Sequence, residues 1–151
     1  MENSYRVILD TNIIVSAACF GRGVPYEVLN IVGQHHILLF SIGTYTELEE
    51  VILRDKFDKY APVTERRQIL EKVLDISEII EVTTIVSDIS HDYADNHFLS
   101  LAVDGRADYL VTGNTRHFMT EEIQKKYGGL TICTAREFLQ ETEDTSASRY
   151  I

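Results

Sequence analysis

Val7-Ile8-Leu9-Asp10-Thr11-Asn12 is the stretch on which the fold reading turns. Three apolar residues run straight into a carboxylate, a hydroxyl and an amide. The apolar part predicts a first strand over residues 5–9, buried on both faces as a strand inside a parallel sheet is. In an open parallel sheet, ligands bind outside the carboxyl ends of the strands, which is where Asp10 falls. Read alone, Asp10 serves equally well as the N-cap of the next helix. The chain repeats the device, however. Tyr109-Leu110-Val111-Thr112 runs into Gly113-Asn114, Leu38-Leu39-Phe40-Ser41 leads into a segment carrying Glu47, and Asp92 and Asp95 open a further apolar run. Acidic and amide positions converging on one sheet edge suggest a divalent-metal site.

Working outward, a helical pattern follows from about Ile13 and breaks at Gly21-Arg22-Gly23. No Lys-Ser/Thr follows these glycines, so they do not form a phosphate loop. Pro25 suits a helix start, Val28, Leu29, Ile31 and Val32 form its apolar stripe, and Gly33 is expected to end it. Residues 37–40 predict a second strand and residues 42–53 a helix with Leu48, Val51 and Ile52 on one face. Pro62 and Thr64 announce another helix, with Ile69, Leu70, Val73 and Leu74 inward. A short strand is expected at residues 79–82. Asp92 then suits the N-cap of a helix reaching Gly105. Strands at residues 109–112 and 131–133 follow, and Thr134 with Glu137 forms a capping box for a helix to about Leu139.

Strands alternating with helices predict an α/β fold, a central mainly parallel sheet with helices on both faces. One domain is expected over residues 1–140, with residues 141–151, rich in Glu, Thr and Ser, as a flexible tail.

The net charge of −10 argues mildly against a nucleic-acid partner, which favours a basic footprint. Part of that charge is what a metal site needs, and bound cations offset it. Arg54, Lys56 and Lys59, then Arg66, Arg67 and Lys72, and later Lys125 and Lys126 form basic clusters that read individually as solvated helix faces. No apolar run reaches the ~20 residues of a membrane span. The N-terminal residues lack the basic start of a signal peptide. Cys19 and Cys133 stand alone in apolar surroundings and read as buried thiols of a reducing compartment, so a cytoplasmic location is expected.

Mg²⁺ prefers oxygen ligands and usually binds through one or two carboxylates plus water and phosphate oxygens. Two ions roughly 4 Å apart can activate an attacking water and stabilise the leaving oxygen of a phosphodiester. The chain has no GxSxG nucleophile elbow and no HExxH. The side chains of the adjacent His35 and His36 diverge on any regular element. Bland readings stand beside each candidate. Asn12 and Thr11 brace a turn, Glu47 is a solvated helix residue, Asp92 is a cap, and Asp95 suits the positive end of a helix. Asn114 is a turn residue, and His117 is a surface or packing histidine.

Taken together, the segment opening at Val7 with Asp10, the Ser41-led helix with Glu47, Asp95-Asn-His-Phe-Leu-Ser-Leu-Ala, Asp108-Tyr-Leu-Val-Thr-Gly-Asn114-Thr-Arg-His-Phe and Thr131-Ile-Cys-Thr-Ala-Arg-Glu-Phe-Leu139 resemble the PIN domain. More narrowly, they resemble the PIN toxin components of bacterial toxin–antitoxin systems. The resemblance runs from about Tyr5 to Leu139, and it lies in the ordered set more than in any single motif. It implies a three-layer αβα fold and a Mg²⁺- or Mn²⁺-dependent ribonuclease. It further implies Asp10, Glu47 and Asp95 as metal ligands and catalytic residues, with Asn114 where many members carry a fourth acid. That departure leaves three carboxylates and puts tight binding of a second metal in doubt. Asp92 or Asp108 could partly compensate, although Asp108 precedes its strand and belongs at the opposite end of the sheet if the strand is parallel. Thr112 and Asn12 resemble the family's bracing residues.

The leading reading is therefore an endoribonuclease, with an RNA phosphodiester attacked by water at a metal centre. A small antitoxin protein is the implied partner, and a homodimer is the expected assembly. The alternative is a non-catalytic PIN module that binds RNA or protein. A phosphoryl-acceptor role for Asp10 is disfavoured, because no second acid follows two residues on.

Overall fold

The computed structural model describes residues 4–84, 93–115 and 129–148, with side chains at all of these except residues 93–95 and 144–148. Strand β1 spans Arg6–Leu9, β2 Ile37–Phe40, β3 Ser77–Ile79, β4 Tyr109–Val111 and β5 Thr131–Cys133. Helices are α1 Thr11–Phe20, α2 Val24–His35, α3 Ile42–Ile52, α4 Val63–Ile76, α5 Tyr93–Gly105 and α6 Ala135–Ser148. The strands form one sheet in the order β3-β2-β1-β4-β5, and every pairing is parallel. This is the α/β sheet that the alternating pattern predicts.

Side-chain alternation along the strands divides the core in two. Val7, Leu9, Leu38, Phe40, Val111 and Cys133 face a cluster with α1, α2, α3, α4 and α6. Ile8, Leu39, Leu110 and Ile132 face the other way, onto Phe98, Leu99, Leu101 and Ala102 of α5. A strand covered on both faces must be apolar at consecutive positions, which is why the sequence reads as short unbroken runs.

The chain winds β1, β2 and β3 to one side, then returns through α5 to place β4 and β5 on the other side of β1. The strand order therefore reverses at β1, and the crevice between the carboxyl ends of β1 and β4 is the binding position such sheets provide. The orientation of α5 follows from its far end. Arg6 Nε, at the start of β1, donates to Gly105 O at 2.7 Å, so the first turn of α5 lies at the carboxyl edge.

Several boundaries differ from the sequence reading. β3 begins at Ser77, two residues before the expected start, because α4 feeds it directly. Ser77 Oγ donates to Val73 O at the helix end while the residue pairs with Leu38. Beyond Ile80, whose N–H donates to Phe40 O, β2 has ended and residues 81–82 have no strand to join. Gly33 does not terminate α2, which continues to His35. A Cβ at Gly33 would sit 3.1 Å from Ile76 Cδ1, so the glycine marks a close approach.

Leu74 is 43 % exposed rather than inward. Arg66, read as a solvated cation, takes the inward position instead and is 0 % exposed. Its place on the face of Leu70 and Val73 puts it over the loop after α3. There Nη1 donates to Ile52 O at 2.7 Å and Arg54 O at 3.1 Å, Nε donates to Ala61 O, and Nη2 pairs with Asp58.

The Thr134–Glu137 capping box forms in both directions, at 2.9 and 3.2 Å. Helix α6 runs on to Ser148, past the expected end near Leu139, since no glycine or proline interrupts residues 140–148. Cys19 and Cys133 are both buried and free.

Candidate active site at the carboxyl ends of β1 and β4

Asp10, at the carboxyl end of β1, uses both of its carboxylate oxygens. Its Oδ1 accepts from Ile13 N at 3.0 Å, which makes it the N-cap of α1. Its Oδ2 accepts from Thr112 Oγ1 at 2.6 Å. The Asp10 N–H donates to Val111 O at 3.0 Å, so the parallel ladder fixes the backbone that carries the carboxylate. A carboxylate has about four lone-pair sites, so one bond on each oxygen leaves half its capacity open to a cation or solvent.

Thr112 follows β4 and is 1 % exposed. Its hydroxyl donates to Asp10 and accepts from Asn114 N at 3.1 Å. One buried hydroxyl thus links the end of β1 to the exposed turn that carries Asn114. Thr112 is thus bonded directly to the Asp10 carboxylate. Asn12 is exposed, one residue into α1.

Glu47 reaches the same edge from α3. Ser41 ends β2 and caps that helix in a box with Thr44. Thr44, Leu48 and Ile52 face the core, so the stripe beside them, which includes Glu47, lies against α1. Glu47 is half-buried, whereas Glu49 and Glu50 are exposed, and its Oε2 accepts from Thr11 Oγ1 at 3.2 Å. Thr11 directly follows Asp10, and sequence reasoning gave it only a turn role. The available signal was its adjacency to Asp10, which puts any side chain there beside the site.

Asp95 lies in the first turn of α5, at the carboxyl edge by the orientation above. Its side chain is outside the described set, and Asp92 and His117 lie outside the described residues. Asp108 is elsewhere. Its Oδ2 accepts from Arg6 N at 2.8 Å, at the amino ends of β4 and β1, so it cannot supplement the acidic cluster. His36 is structural, its Nδ1 accepting from Tyr5 N while its ring packs near Tyr5 and Phe138.

Among the described residues, no three His, Cys, Asp or Glu side chains group closely enough to hold a metal ion. The described donors are Asp10, Glu47, the hydroxyls of Thr11 and Thr112, and the Asn114 amide. All five offer oxygen and none offers sulfur or imidazole. Two carboxylates with neutral oxygens and room for water suit a hard cation such as Mg²⁺ or Mn²⁺, so the residues present fit such an ion.

A parallel sheet whose strand order reverses at β1, with Asp10 and Glu47 beside that reversal, is an open α/β fold with its candidate site in the crevice such sheets provide. Residues 6–116 match the PIN domain family, and the chain belongs to it. Members of this family generally hydrolyse RNA and depend on divalent metals. An uncharacterized protein of Methanocaldococcus jannaschii is 27% identical over 145 residues, covering 91% of this chain and 92% of its own. The fold is shared with VapBC2 from Rickettsia felis, solved bound to a DNA fragment from its promoter. That likeness has a TM-score of 0.54 at 19% identity and covers 84% of this chain and 96% of that one.

Proposed function

We propose that this protein is a Mg²⁺- or Mn²⁺-dependent endoribonuclease, the toxin of a toxin–antitoxin pair. The observation that carries the reading is Asp10, whose carboxylate is held by Thr112 and by the start of α1 across the β1/β4 crevice. Asp10, Glu47 and Asp95 would hold the ion, whose chemistry is to activate water and offset charge on the scissile phosphate. Thr112 fixes the Asp10 rotamer, and Thr11 does the same for Glu47. Asn114, whose N–H is held by Thr112, would orient water or phosphate by hydrogen bonding without adding charge. Holding these donors before substrate arrives lowers the reorganisation needed at the moment of reaction.

Family membership supports the ribonuclease class, and the toxin reading is supported by the fold likeness to a VapBC2 assembly. A small antitoxin covering this acidic edge with a basic side chain is the matching partner. Val63, Leu74 and Ile76, exposed on α4, are the apolar surface on which the homodimer proposal rests. Asn114 in place of a fourth acid favours, as the second reading, a PIN module that binds RNA or protein without turnover. Among the described residues no helix is long and apolar enough to cross a membrane, and the buried free cysteines agree with a cytoplasmic setting.

The test is cleavage of a panel of structured RNAs with Mg²⁺ and Mn²⁺, wild type against Asp10→Asn. Cleavage by the wild type that disappears in the variant is expected. Equal cleavage by both would remove Asp10 from the mechanism, and none by the wild type would favour the binding module.

A further inference from the structure

Helix α1 starts at Asp10, and its far end presents a different kind of surface. Phe20, its last residue, is 55 % exposed, and Tyr60, in the loop between α3 and α4, is 49 % exposed. Their ring centroids lie 5.1 Å apart at an interplanar angle of 57°. The two rings hold each other in place, yet about half of each stays open to solvent. Pre-set aromatic faces are what successive bases of a single strand stack on, with little regard to sequence.

Charge decides between a nucleic acid and an apolar partner. The Lys59 ammonium sits 5.1 Å from the Tyr60 ring centroid, so a cation is held beside the stacking surface. Arg22, just beyond Phe20, and Lys56, in the same loop as Tyr60, are exposed as well. Arg54 adds less, because it lies 3.9 Å from Glu50. The loop's acids count for little against these cations. Asp58 is already paired with buried Arg66, which leaves exposed Asp55. In a chain of net charge −10, this end of α1 is basic and aromatic together.

Helix α1 also connects that surface to the candidate centre. Of its residues, only Thr11, Asn12, Ser16 and Phe20 are not buried. Asn12, Ser16 and Phe20 follow at a spacing of four and so share one face of the helix. None of them is charged, so a polyanion laid along this face meets no carboxylate from α1. At ~1.5 Å per residue, Phe20 lies about 15 Å along the axis from Asp10, a few nucleotides of extended strand.

We propose that Phe20 and Tyr60 form a stacking platform for single-stranded RNA, joined to the candidate centre by the exposed face of α1. That the bound strand is a substrate rests on the ribonuclease reading. That the platform binds RNA does not.

The test is fluorescence anisotropy of a labelled, unstructured RNA oligonucleotide titrated with the full chain in EDTA at low salt, so that no turnover occurs. Phe20→Leu and Tyr60→Leu keep an apolar side chain and remove the π face. Each should weaken RNA binding roughly tenfold, the size of one base–aromatic stack. Tyr60→Trp should bind at least as tightly as the wild type. Lys59→Gln should lower the slope of log affinity against log salt by about 1. These side chains are exposed, so the melting temperature should barely change. With Mn²⁺ added, Tyr60→Leu should raise KM for RNA cleavage and leave kcat unchanged, because the platform stands away from the scissile bond. Wild-type RNA affinity in both leucine variants would overturn the platform and leave the exposed rings to a protein partner. No RNA binding by the wild type, or tighter binding of a duplex than of the single strand, would overturn it too. Weakened binding in the leucine variants with no cleavage by the wild type would remove the ribonuclease reading alone. Cleavage with an unchanged KM in Tyr60→Leu would overturn the platform while leaving the ribonuclease reading in place.

Discussion

Thr112 Oγ1 donates to Asp10 Oδ2 at 2.6 Å, joining residues 102 positions apart in the chain. The bond closes the carboxyl ends of the two strands that border the crevice. It also sets which lone pairs of Asp10 stay available, because the other oxygen is committed to Ile13 N.

Thr112→Val keeps the side chain's shape and removes the hydroxyl, leaving Asp10 and the Asn114 N–H without that partner. A hydrogen bond to a charged group contributes about 1.5–3 kcal/mol, and a loss of that order is expected in urea unfolding. Thr112→Ser should recover most of it. Equal stability of the valine and serine variants would show that the bond does not hold the site.

Metal binding should appear as stabilisation. An ion that binds the native state raises the melting temperature by mass action. Millimolar Mn²⁺ should do so in the wild type and less in Asp10→Asn or Glu47→Gln. Asparagine caps helices as well as aspartate does, but its NH2 cannot accept from Thr112, so Asp10→Asn should start from a lowered melting point without metal, and the metal-induced rise is read from that start. A wild-type curve unchanged across the titration would count against a metal centre.

How much of this was legible in the sequence depended on whether neighbours in the chain are neighbours in space. β1, β2 and β5 announce themselves because each is a compact apolar run bounded by turn or capping signals. Asp10 and Glu47 were legible because strand ends and helix starts in an α/β chain fall on one edge. The inward turn of Arg66 was not. Its polar type says solvent, and only the carbonyls of Ile52, Arg54 and Ala61, brought over it by the preceding loop, make burial favourable. The start of β3 was missed because a strand that follows a helix without a loop carries no break residue. The contact of Phe20 with Tyr60 could not be read, since the two stand far apart in the chain and only the fold brings them together.

Arg66 should be a keystone of stability. Removing the guanidinium leaves buried carbonyls without their donor, which costs about 1–3 kcal/mol for each group left unpaired. Arg66→Met should lose at least that much by denaturant unfolding, and Arg66→Lys should not rescue it, because one ammonium cannot reproduce the planar fork that reaches three carbonyls and Asp58. Full rescue by lysine would mean that charge alone is what the site needs.

Asp104 gives the fold an acid limit on the segment after β3. The Thr84 hydroxyl, then the Thr84 N–H, and beyond them the Thr83 N–H donate to its carboxylate and hold its pKa below the usual carboxylate range. A pKa lowered by folding contributes stability above the unfolded value, near 4, and that contribution is lost as pH falls through the folded value. Melting temperature followed from pH 7 to pH 2 should therefore fall more steeply for the wild type than for Asp104→Asn. Parallel curves would show that these bonds do not couple to folding.

Asp95 and Asp108 should separate activity from stability. Asp95 opens the helix that precedes β4 and Asp108 stands immediately before that strand, yet the topology puts them at opposite ends of the sheet. Helix α5 runs antiparallel to the strands, so its first turn, with Asp95, lies on the edge that holds Asp10, Glu47 and Asn114. Asp108 is at the other edge, where its carboxylate accepts from Arg6 N. Asp95→Asn keeps the size and removes a charge needed only by the centre, so RNA cleavage should collapse while the melting temperature holds. Asp108→Ala should do the reverse, costing about 1–2 kcal/mol of stability through the lost bond to the Arg6 N–H while leaving the cleavage rate intact. Comparable loss of cleavage in both variants at equal stability would mean that the acidic edge does not define the active site.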